Sequence, residues 1–299
     1  MIRVGFVERE PVVVGWCKGV VKCYQSSCSV PLYLMSSRVP YPYGNFPHYY
    51  DARNSTLPLD LRLALLPSSL FASKRVLDIG CNDGTVTLQI GAVLEPREVV
   101  GVDLDYKLVN KAVENWARRE TVHSKGLEAK SLLEEVAVLP LSYRLLLQGS
   151  GDLEELQRLR RGSGGPAFPG NVSFQVREVV SEGLPEGQFD TVLCLSTVKW
   201  IQLNWGDEGL QSLFRSIHAA LSPLGHLVLE PQPWSSYKKL RNQSLRFRTH
   251  YDQIELRPPL LPAFLTSLGF TLVSTGVPEG DEVKERFLRE VYVYQKAGE

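Results

Sequence analysis

The chain of 299 residues is 43% hydrophobic and 22% charged, enough apolar sequence to bury one substantial core, and we expect one large domain. Lysine plus arginine and aspartate plus glutamate each number 33, so the net charge is zero and any nucleic-acid contact must come from a local basic patch. The odd number of cysteines, five, argues against a disulfide framework, and no apolar run approaches the roughly 18 residues of a membrane span, so we expect a soluble intracellular protein.

The first 40 residues carry three of the cysteines and no long helical pattern. Cys17, Cys23 and Cys28 form no CxxC pair, and no histidine lies beside them, so they do not complete a zinc-binding set. We therefore predict that residues 1–40 are a weakly ordered N-terminal extension without a metal site, and that the functional domain covers residues 41–299.

Apolar runs alternate with amphipathic helical patterns from residue 75 onward. The predicted strands are residues 75–79, 99–103, 172–176, 189–196 and 226–230, with helical patterns at residues 106–119 and 207–221. This alternation predicts right-handed βαβ units and a parallel sheet covered on both faces. A helix at 260–268 then precedes strands at 270–274 and 290–295, which a loop of about fifteen residues joins as an antiparallel pair. The predicted fold class is α/β, mostly parallel with an antiparallel C-terminal strand.

One long stretch, residues 121–170, separates the second predicted helix from the third predicted strand. Residues 127–147 carry a helical pattern, but residues 160–166 read RRGSGGP, which is typical of a mobile linker. We therefore predict a flexible insertion rather than a domain.

The turn after the first strand carries the first chemical motif. Gly80 and Gly84 allow the backbone to bend tightly, but Asn82 stands where a phosphate-binding GxGxxG turn has its middle glycine, which argues against a pyrophosphate. Asp103 ends the second strand twenty-three residues after Gly80, where a carboxylate can accept hydrogen bonds from a ribose diol. Asp78, Gly80 and Asp103 together are typical of Rossmann-type methyltransferases that use S-adenosylmethionine. The alternative is that the aspartates only cap helices and Gly84 only permits packing.

Several further segments resemble one family of RNA-modifying enzymes. Trp-rich, polar stretches such as LNWGDEGL at 203–210 and LEPQPWSSY at 229–237 usually face a ligand, and they occur together with residues 43–50, 53–54, 80–82 and 194–200. This combination resembles the bicoid-interacting-protein family of methylphosphate capping enzymes, the RNA 5′ γ-phosphate methyltransferases of the 7SK small nuclear RNA type. The resemblance covers roughly residues 41–120 and 171–296. It implies a Rossmann-like class I methyltransferase fold and methyl transfer from S-adenosylmethionine to the γ-phosphate of an RNA 5′ triphosphate.

The resemblance also implies a nuclear monomer with possible ribonucleoprotein partners. A sister branch methylates the 5′ monophosphate of small RNAs and usually carries His where this chain has Trp205, so Trp205 favours the triphosphate branch. Two other readings stay open: a non-catalytic module that binds RNA 5′ ends in a ribonucleoprotein, and a small-molecule methyltransferase.

The residues expected to bind the cofactor follow from the turn and from the resemblance. Tyr43 is expected to close over the cofactor, and Arg53 to pair with the methionine carboxylate or the phosphates, with a surface ion pair as the alternative. Glu178 stands where the family has a small polar residue near the adenine, so its contact is inferred from position alone. The full predicted set is Tyr43, Arg53, Asp78, Gly80, Cys81, Asn82, Asp103, Leu104, Glu178 and Leu195.

The acceptor chemistry requires no general base. A terminal phosphate has a second pKa of about 6 and is mostly dianionic at neutral pH, so the rate should rise through about pH 6 and then level. Lys199 follows the fourth strand, where ligands bind in such sheets, and is the predicted phosphate ligand, with a surface lysine as the alternative. Trp200 is expected to stack on the first base, or to be core. Asn204 and Gln232 are expected to supply amide donors, or only to tie loop backbones together.

The one concentrated basic patch lies at residues 238–248. Its predicted RNA-binding residues are Trp234, Tyr237, Lys238, Lys239, Arg241 and Arg248, and Phe247 stands between two arginines. Clustered cations with an aromatic residue fit an RNA-phosphate track with base stacking. A solvated helix face is the alternative.

Overall fold

A seven-stranded sheet runs through the computed structural model, which describes residues 41–47, 49–53, 59–124, 166–278 and 287–298. All of them lie within one unit, Ser37–Glu299. The predicted N-terminal extension and residues 125–165 of the predicted insertion lie outside the described residues, so both stay predictions.

Six of the seven strands match their predicted bounds within two residues, whereas β5 begins at Leu221, five residues before its predicted start. They are β1 (Arg75–Ile79), β2 (Glu98–Asp103), β3 (Val172–Val176), β4 (Phe189–Leu195), β5 (Leu221–Glu230), β6 (Phe270–Gly276) and β7 (Val291–Lys296). Their order is β3-β2-β1-β4-β5-β7-β6. β1 to β5 are parallel, and β7 pairs antiparallel with both β5 and β6. The predicted Rossmann-like class I fold, with one antiparallel C-terminal strand, is confirmed.

The helices cover both faces of this sheet. They are α1 (Tyr49–Arg53), α2 (Leu61–Ala64), α3 (Thr85–Val93), α4 (Tyr106–Ser124), α5 (Val198–Ala220), α6 (Ser235–Lys238), α7 (Leu245–Gln253) and α8 (Leu261–Ser267), with short 3₁₀ turns at Ser68–Leu70 and Pro258–Leu260. No helix in the described part of the chain is long and apolar enough to cross a membrane.

One helix begins earlier than its pattern predicted. The prediction placed a helix at residues 207–221, but α5 starts at Val198 and includes the whole LNWGDEGL stretch. Gly206 (φ 69°, ψ −168°) interrupts the helical backbone and kinks α5 between Trp205 and Asp207. Glycine is a poor helix former, so the sequence pattern placed the start of the helix after Gly206.

Alternation along the strands buries both faces of the sheet. Val76 packs in one core with α3, whereas its neighbour Leu77 packs in the other core with α5. Because β1, β2, β4 and β5 are parallel, their carboxyl ends meet along one edge of the sheet, between the two layers of helices. Ligands bind at this edge in open α/β sheets.

Candidate active site

A cavity of about 580 Å³ opens at this edge, within the usual size range of small-molecule sites. It is lined by ten of the predicted site residues: Tyr43, Gly80, Asn82, Asp103, Leu104, Glu178, Leu195, Lys199, Trp200 and Gln232. Other predicted residues lie behind its wall or outside it: Arg53, Asp78, Cys81, Asn204, Trp234 and the residues of the basic patch.

We call Gly80, Asn82 and Asp103 the turn end of the cavity. Gly80 has φ 76°, and a Cβ added there would lie 2.2 Å from Thr197 Cγ2, so both backbone conformation and close packing require glycine. The backbone N–H of Asn82 donates to Asp103 Oδ2 at 3.0 Å, so the turn holds the acidic side chain directly.

The Asp103 carboxylate is fixed but keeps capacity to accept. Its Oδ1 accepts the backbone N–H of Asp105 at 2.9 Å, and its Oδ2 accepts that of Asn82. Burial raises the pKa of Asp103 to about 6 despite these two hydrogen bonds. Each carboxylate oxygen has a further lone pair, so the group can accept two more hydrogen bonds from a diol in the cavity.

Asp78 and Cys81 do not line the cavity, so their contact with the cofactor stays a prediction. Asp78 is 3% exposed and accepts a hydrogen bond from Thr87 Oγ1 of α3 at 2.7 Å. Burial raises the pKa of Asp78 to about 6. Cys81 is fully buried, and a Cβ added at Gly101 would lie 3.0 Å from the Cβ of Cys81. Both side chains are buried beside the turn and outside the cavity lining.

Glu178 lines the cavity, but its carboxylate accepts hydrogen bonds from the protein backbone. It accepts the backbone N–H groups of Val180 and Ser181, each at 3.0 Å, and so caps the turn after β3. Gly84 likewise serves packing, because a Cβ there would lie 2.7 Å from Phe174 Cζ. The contact of Glu178 with an adenine stays a prediction.

Residues 41–47, which we call the strap, form one wall of the cavity. At the turn end, Asn45 Nδ2 donates to Asp105 Oδ2 at 2.6 Å, and Asn82 Nδ2 donates to the carbonyl oxygen of Phe46 at 3.2 Å. Tyr43 of the strap lies 5.9 Å from Trp205, centroid to centroid, inside the cavity. Its position is compatible with its predicted contact to the cofactor.

The first turns of α5 hold the other side of the strap. A Cβ added at Gly44 would lie 2.2 Å from Trp200 Cε2, and the Trp200 ring also packs edge-on against Phe46 at 5.7 Å. Asn204 Nδ2 donates to the carbonyl oxygens of Pro42 at 2.8 Å and of Trp200 at 2.9 Å. Trp200 is therefore structural on one face, while its predicted stacking on a base stays a prediction.

We call Ser196, Lys199 and Arg289 the lysine end of the cavity. Lys199 lies in the first turn of α5, and its ammonium nitrogen is 4.8 Å from the centroid of the Trp200 ring. Burial, with the nearby charges of Arg289 and Lys239, lowers the pKa of Lys199 to about 8. Among the described residues, no carboxylate lies within ion-pair distance of this ammonium group. It is a cation in the cavity rather than the surface lysine of the alternative reading.

The amides of Gln232 and Asn204 tie backbone segments together, as the alternative reading expected, and their catalytic role stays a prediction. Gln232 Oε1 accepts the backbone N–H of Lys199 at 3.1 Å, and its Nε2 donates to the carbonyl oxygen of Ser196. Asn204 uses its Nδ2 on the strap and its Oδ1 on Arg246 Nη1 at 3.2 Å. Gln232 thereby fixes the position of Lys199.

Arg53 lies in a buried ion network behind the cavity, so its predicted contact with an anionic ligand is corrected. Its Nη2 donates to Glu230 Oε1 at 3.0 Å, and Arg62 Nη1 donates to Glu230 Oε2 at 2.8 Å. Asp60 pairs with Arg62 at 2.8 Å. Burial alone would raise the pKa of Glu230, but Arg62, Arg53 and Arg289 lower it. The network is also not the surface ion pair of the alternative reading.

Arg289 lines the cavity and was missed by the sequence analysis. Its Nη1 donates to Ser196 Oγ at 3.0 Å and lies 3.8 Å from Glu230 Oε1. Arg289 precedes β7, and Leu229 of β5 pairs with Tyr292 of β7. Only this antiparallel register, which no local motif encodes, brings residue 289 to the end of β5.

The basic patch divides into exposed and engaged residues. Lys238, Lys239 and Arg248 are exposed. Arg241 instead forms a bidentate pair with Asp252, with distances of 2.7 and 2.8 Å. The prediction of an RNA track therefore rests mainly on the three exposed cations.

The aromatic residues near the patch are mostly core, which corrects two expectations. Tyr237 is fully buried and donates its hydroxyl to Gln202 Oε1 at 2.8 Å, so it cannot contact RNA. Phe247 is 1% exposed and offers no stacking face between the arginines. Trp234 is half-buried and stacks on Tyr251, with centroids 4.8 Å apart and planes 10° apart. Base stacking by Trp234 stays a prediction.

The described residues contain no group of three or more His, Cys, Asp or Glu side chains placed to hold a metal ion. The cysteines at positions 17, 23 and 28 lie outside the described residues.

Comparison with known proteins places this chain in a family. Residues 189–296 match the family described as Bicoid-interacting protein 3 (Bin3). The chain is 35% identical to the human 7SK snRNA methylphosphate capping enzyme over 86% of this chain and 40% of that protein, so it spans about two fifths of that relative. The human RNA 5′-monophosphate methyltransferase is more distant, at 27% identity over 72% of this chain and 68% of its own length.

A relative of more similar length is the U6 snRNA methylphosphate capping enzyme Amus of Drosophila melanogaster. It is 31% identical over 86% of this chain and 75% of its own length. Because this identity extends across most of both proteins, the chain belongs to the Bicoid-interacting protein 3 family.

Proposed function

We propose that the protein transfers a methyl group from S-adenosylmethionine to the 5′-terminal γ-phosphate of a small non-coding RNA, and so caps and stabilises it. The observation that carries the proposal is one cavity with a fixed carboxylate, Asp103, at one end and a partly buried cation, Lys199, at the other. A ribose diol fits the first group and a phosphate fits the second.

The turn end fits the nucleoside part of the cofactor. Asp103 would accept hydrogen bonds from both ribose hydroxyls, which requires that neither carries a phosphate. Gly80 lets the backbone approach the ligand closely, and the Leu104 and Leu195 side chains line the same cavity as apolar surface. When bound, S-adenosylmethionine supplies an electrophilic methyl group, so the protein itself need not activate the donor.

The lysine end fits a phosphate acceptor. A terminal phosphate is mostly dianionic at neutral pH and is itself the nucleophile, so no residue has to remove a proton. Lys199 would hold the phosphate in line with the methyl group, and such orientation can lower a barrier by roughly 7–11 kcal/mol. Gln232, in the loop after β5, supports this task. It accepts a hydrogen bond from the Lys199 backbone N–H and donates one to the Ser196 carbonyl oxygen.

The contacts with the rest of the RNA would come from the exposed cations of the basic patch. Lys238, Lys239 and Arg248 would attract the RNA backbone without reading its sequence. Relatives named as methylphosphate capping enzymes of the 7SK and U6 snRNAs support a small RNA as the partner, and we propose that its 5′ end is a triphosphate. We extend the proposal to a nuclear protein, because both relatives are named for small nuclear RNAs. A monomer with ribonucleoprotein partners is proposed from the sequence alone.

The choice between a triphosphate and a monophosphate end is the finer part of the proposal. Trp205, the residue that favours the triphosphate branch by resemblance, lies in the cavity wall against Tyr43. The monophosphate-specific relative is also more distant in sequence than the capping enzymes. Both observations favour the triphosphate.

The proposal is tested by incubating the protein with labelled cofactor and one short RNA that carries a 5′ triphosphate, a 5′ monophosphate or a 5′ hydroxyl. We expect the fastest transfer to the triphosphate and none to the hydroxyl. Efficient methylation of the hydroxyl RNA would place the acceptor elsewhere. A calorimetric titration with S-adenosylhomocysteine completes the test, since absence of binding would favour a non-catalytic RNA-binding module.

A further inference from the structure

The buried network behind the cavity is electrically balanced without Arg289. It contains two cations, Arg53 and Arg62, and two anions, Asp60 and Glu230, whose side chains are at most 3% exposed. Glu230 accepts from both arginines and also from the Ser196 hydroxyl at 2.5 Å. Buried charges require such pairing, and these four satisfy one another.

Arg289 stands at the cavity side of this network. Its Nη1 lies 3.8 Å from Glu230 Oε1, compared with 3.0 Å for Arg53 Nη2, so Glu230 is bound mainly by other groups. The Arg289 side chain is 14% exposed and lines the cavity together with Lys199. Arg289 Nη1 donates to Ser196 Oγ at 3.0 Å, and Gln232 links the backbone of Ser196 to that of Lys199, so both cations are held at the same end of the cavity. The charge of Arg289 also contributes to lowering the pKa of Lys199.

Two cationic side chains that line one cavity form a site suited to an anion that carries more than one charge. We infer that Arg289 is a second ligand of the acceptor phosphate, which it binds together with Lys199. The inference rests on the proposed function and adds to it a residue that binds the reacting group. The charges agree, because a dianionic terminal phosphate neutralises one lysine and one arginine.

The two cations would contribute differently. An arginine presents several N–H donors in a planar fork that fits phosphate oxygens, whereas lysine acts as a compact point charge. Ser196 accepts from Arg289, and the negative Glu230 lies behind it, so these residues position the guanidinium. Arg289 would then fix the orientation of the phosphate, and Lys199 would neutralise part of its negative charge.

The test measures affinity for one short RNA with either a 5′ triphosphate or a 5′ hydroxyl, in the whole protein with S-adenosylhomocysteine present. The variants are Arg289→Ala and Arg289→Gln, the second of which keeps most of the side-chain length. The matched control is Arg215→Ala, which removes one charge from the exposed side of α5.

We expect both Arg289 variants to lose roughly ten- to a hundred-fold in the preference for triphosphate over hydroxyl RNA, the range for a hydrogen bond to a charged group. Affinity for hydroxyl RNA should hardly change, and Arg215→Ala should keep the full preference. An unchanged preference in a folded Arg289 variant would overturn the inference. So would an equal loss of affinity for both RNAs, which is the result of a merely structural role.

These outcomes are separate from those of the methyl-transfer assay. If wild type methylates triphosphate RNA and the Arg289 variants keep the preference, the proposed function stands and the inference fails. If wild type methylates none of the RNAs but the preference exists and depends on Arg289, the phosphate site stands and the proposed reaction fails.

Discussion

The two ends of the cavity are built differently. At the turn end, Asp103 is held by backbone N–H groups of Asn82 and Asp105, from the same strand-end region of the sheet. At the lysine end, Lys199 and Arg289 come from segments 90 residues apart in the sequence and meet only through the pairing of β5 with β7. A local backbone turn therefore determines one end, and the assembled tertiary structure determines the other.

This difference implies that the two ends respond separately to mutation. Changes at the turn end should alter cofactor affinity, whereas changes at the lysine end should alter turnover and the preference for a phosphate. Changes in the buried network should destabilise the fold as a whole, because its charges have no access to solvent.

The largest effect is expected for Glu230→Gln. The substitution leaves Arg53 and Arg62 buried with one anion fewer, and breaking a buried pair in this way costs about 3–5 kcal/mol. Urea denaturation measures the change in the free energy of unfolding. The control is Glu114→Gln, which breaks exposed pairs with Lys111 and Arg118 on α4 and should cost about 1 kcal/mol or less. Equal losses would mean that the network is not a buried charge cluster.

The next effect concerns the lysine end. Lys199→Ala should lower kcat by roughly a hundred- to a thousand-fold, the usual loss when one group that stabilises developing charge is removed. S-adenosylhomocysteine affinity should stay near the wild-type value, because the proposed contact is to the acceptor. The exposed Lys111 on α4 provides the control substitution. If Lys199→Ala turned over at the full rate, the acceptor would not lie at this end.

A smaller effect is expected at the turn end. Asp103→Ala should weaken cofactor binding by roughly 1.5–3 kcal/mol, the scale of a hydrogen bond to a charged group. The preference for triphosphate over hydroxyl RNA should be retained, in contrast to the Arg289 variants. Calorimetry measures both quantities, and an unchanged cofactor affinity in the folded variant would remove Asp103 from the site.

The sequence predicted the turn end better than the lysine end, for physical reasons. A strand, a glycine turn and a second acidic strand end form a local pattern, so the positions of Gly80 and Asp103 could be inferred. Whether an amide such as Gln232 binds a ligand or a backbone depends on which carbonyl groups lie close to it, which is a property of the assembled chain. Arg289 carries no local signal at all, and the strand that places it must pair before its role is visible.

The same reasoning explains the errors in the basic patch. A run of cations with one aromatic residue fits both a binding track and an amphipathic helix, and the second reading applies to Phe247, which faces the core. Arg241 could not be separated from its exposed neighbours by sequence, because its partner Asp252 lies in the next helix, α7. Tertiary pairing therefore decided which cations stay available.

The smallest effect is expected for these surface residues. Reversing Lys239 and Arg248 to Glu should weaken RNA binding and flatten its salt dependence, with a slope change of roughly 0.7 for each phosphate that the protein no longer neutralises. Cofactor affinity should not change. Arg241→Glu alone should change the slope less, because Asp252 already neutralises Arg241. A salt slope that none of these substitutions alters would assign the patch to a solvated helix face.

The most direct test of the central claim, that Lys199 holds a dianionic phosphate, is the pH dependence of kcat/KM for triphosphate RNA. S-adenosylmethionine is kept saturating, because Asp103 in the cofactor site also has a pKa of about 6. The rate should then rise through about pH 6, as the phosphate loses its second proton. Sequence reasoning predicted a plateau above this pH, but the pKa of Lys199, lowered to about 8, adds a falling limb as the lysine loses its charge. Lys199→Ala should keep the rising limb and lose the falling one. A falling limb that persists in Lys199→Ala, or a rate that does not change through pH 6, would contradict the account.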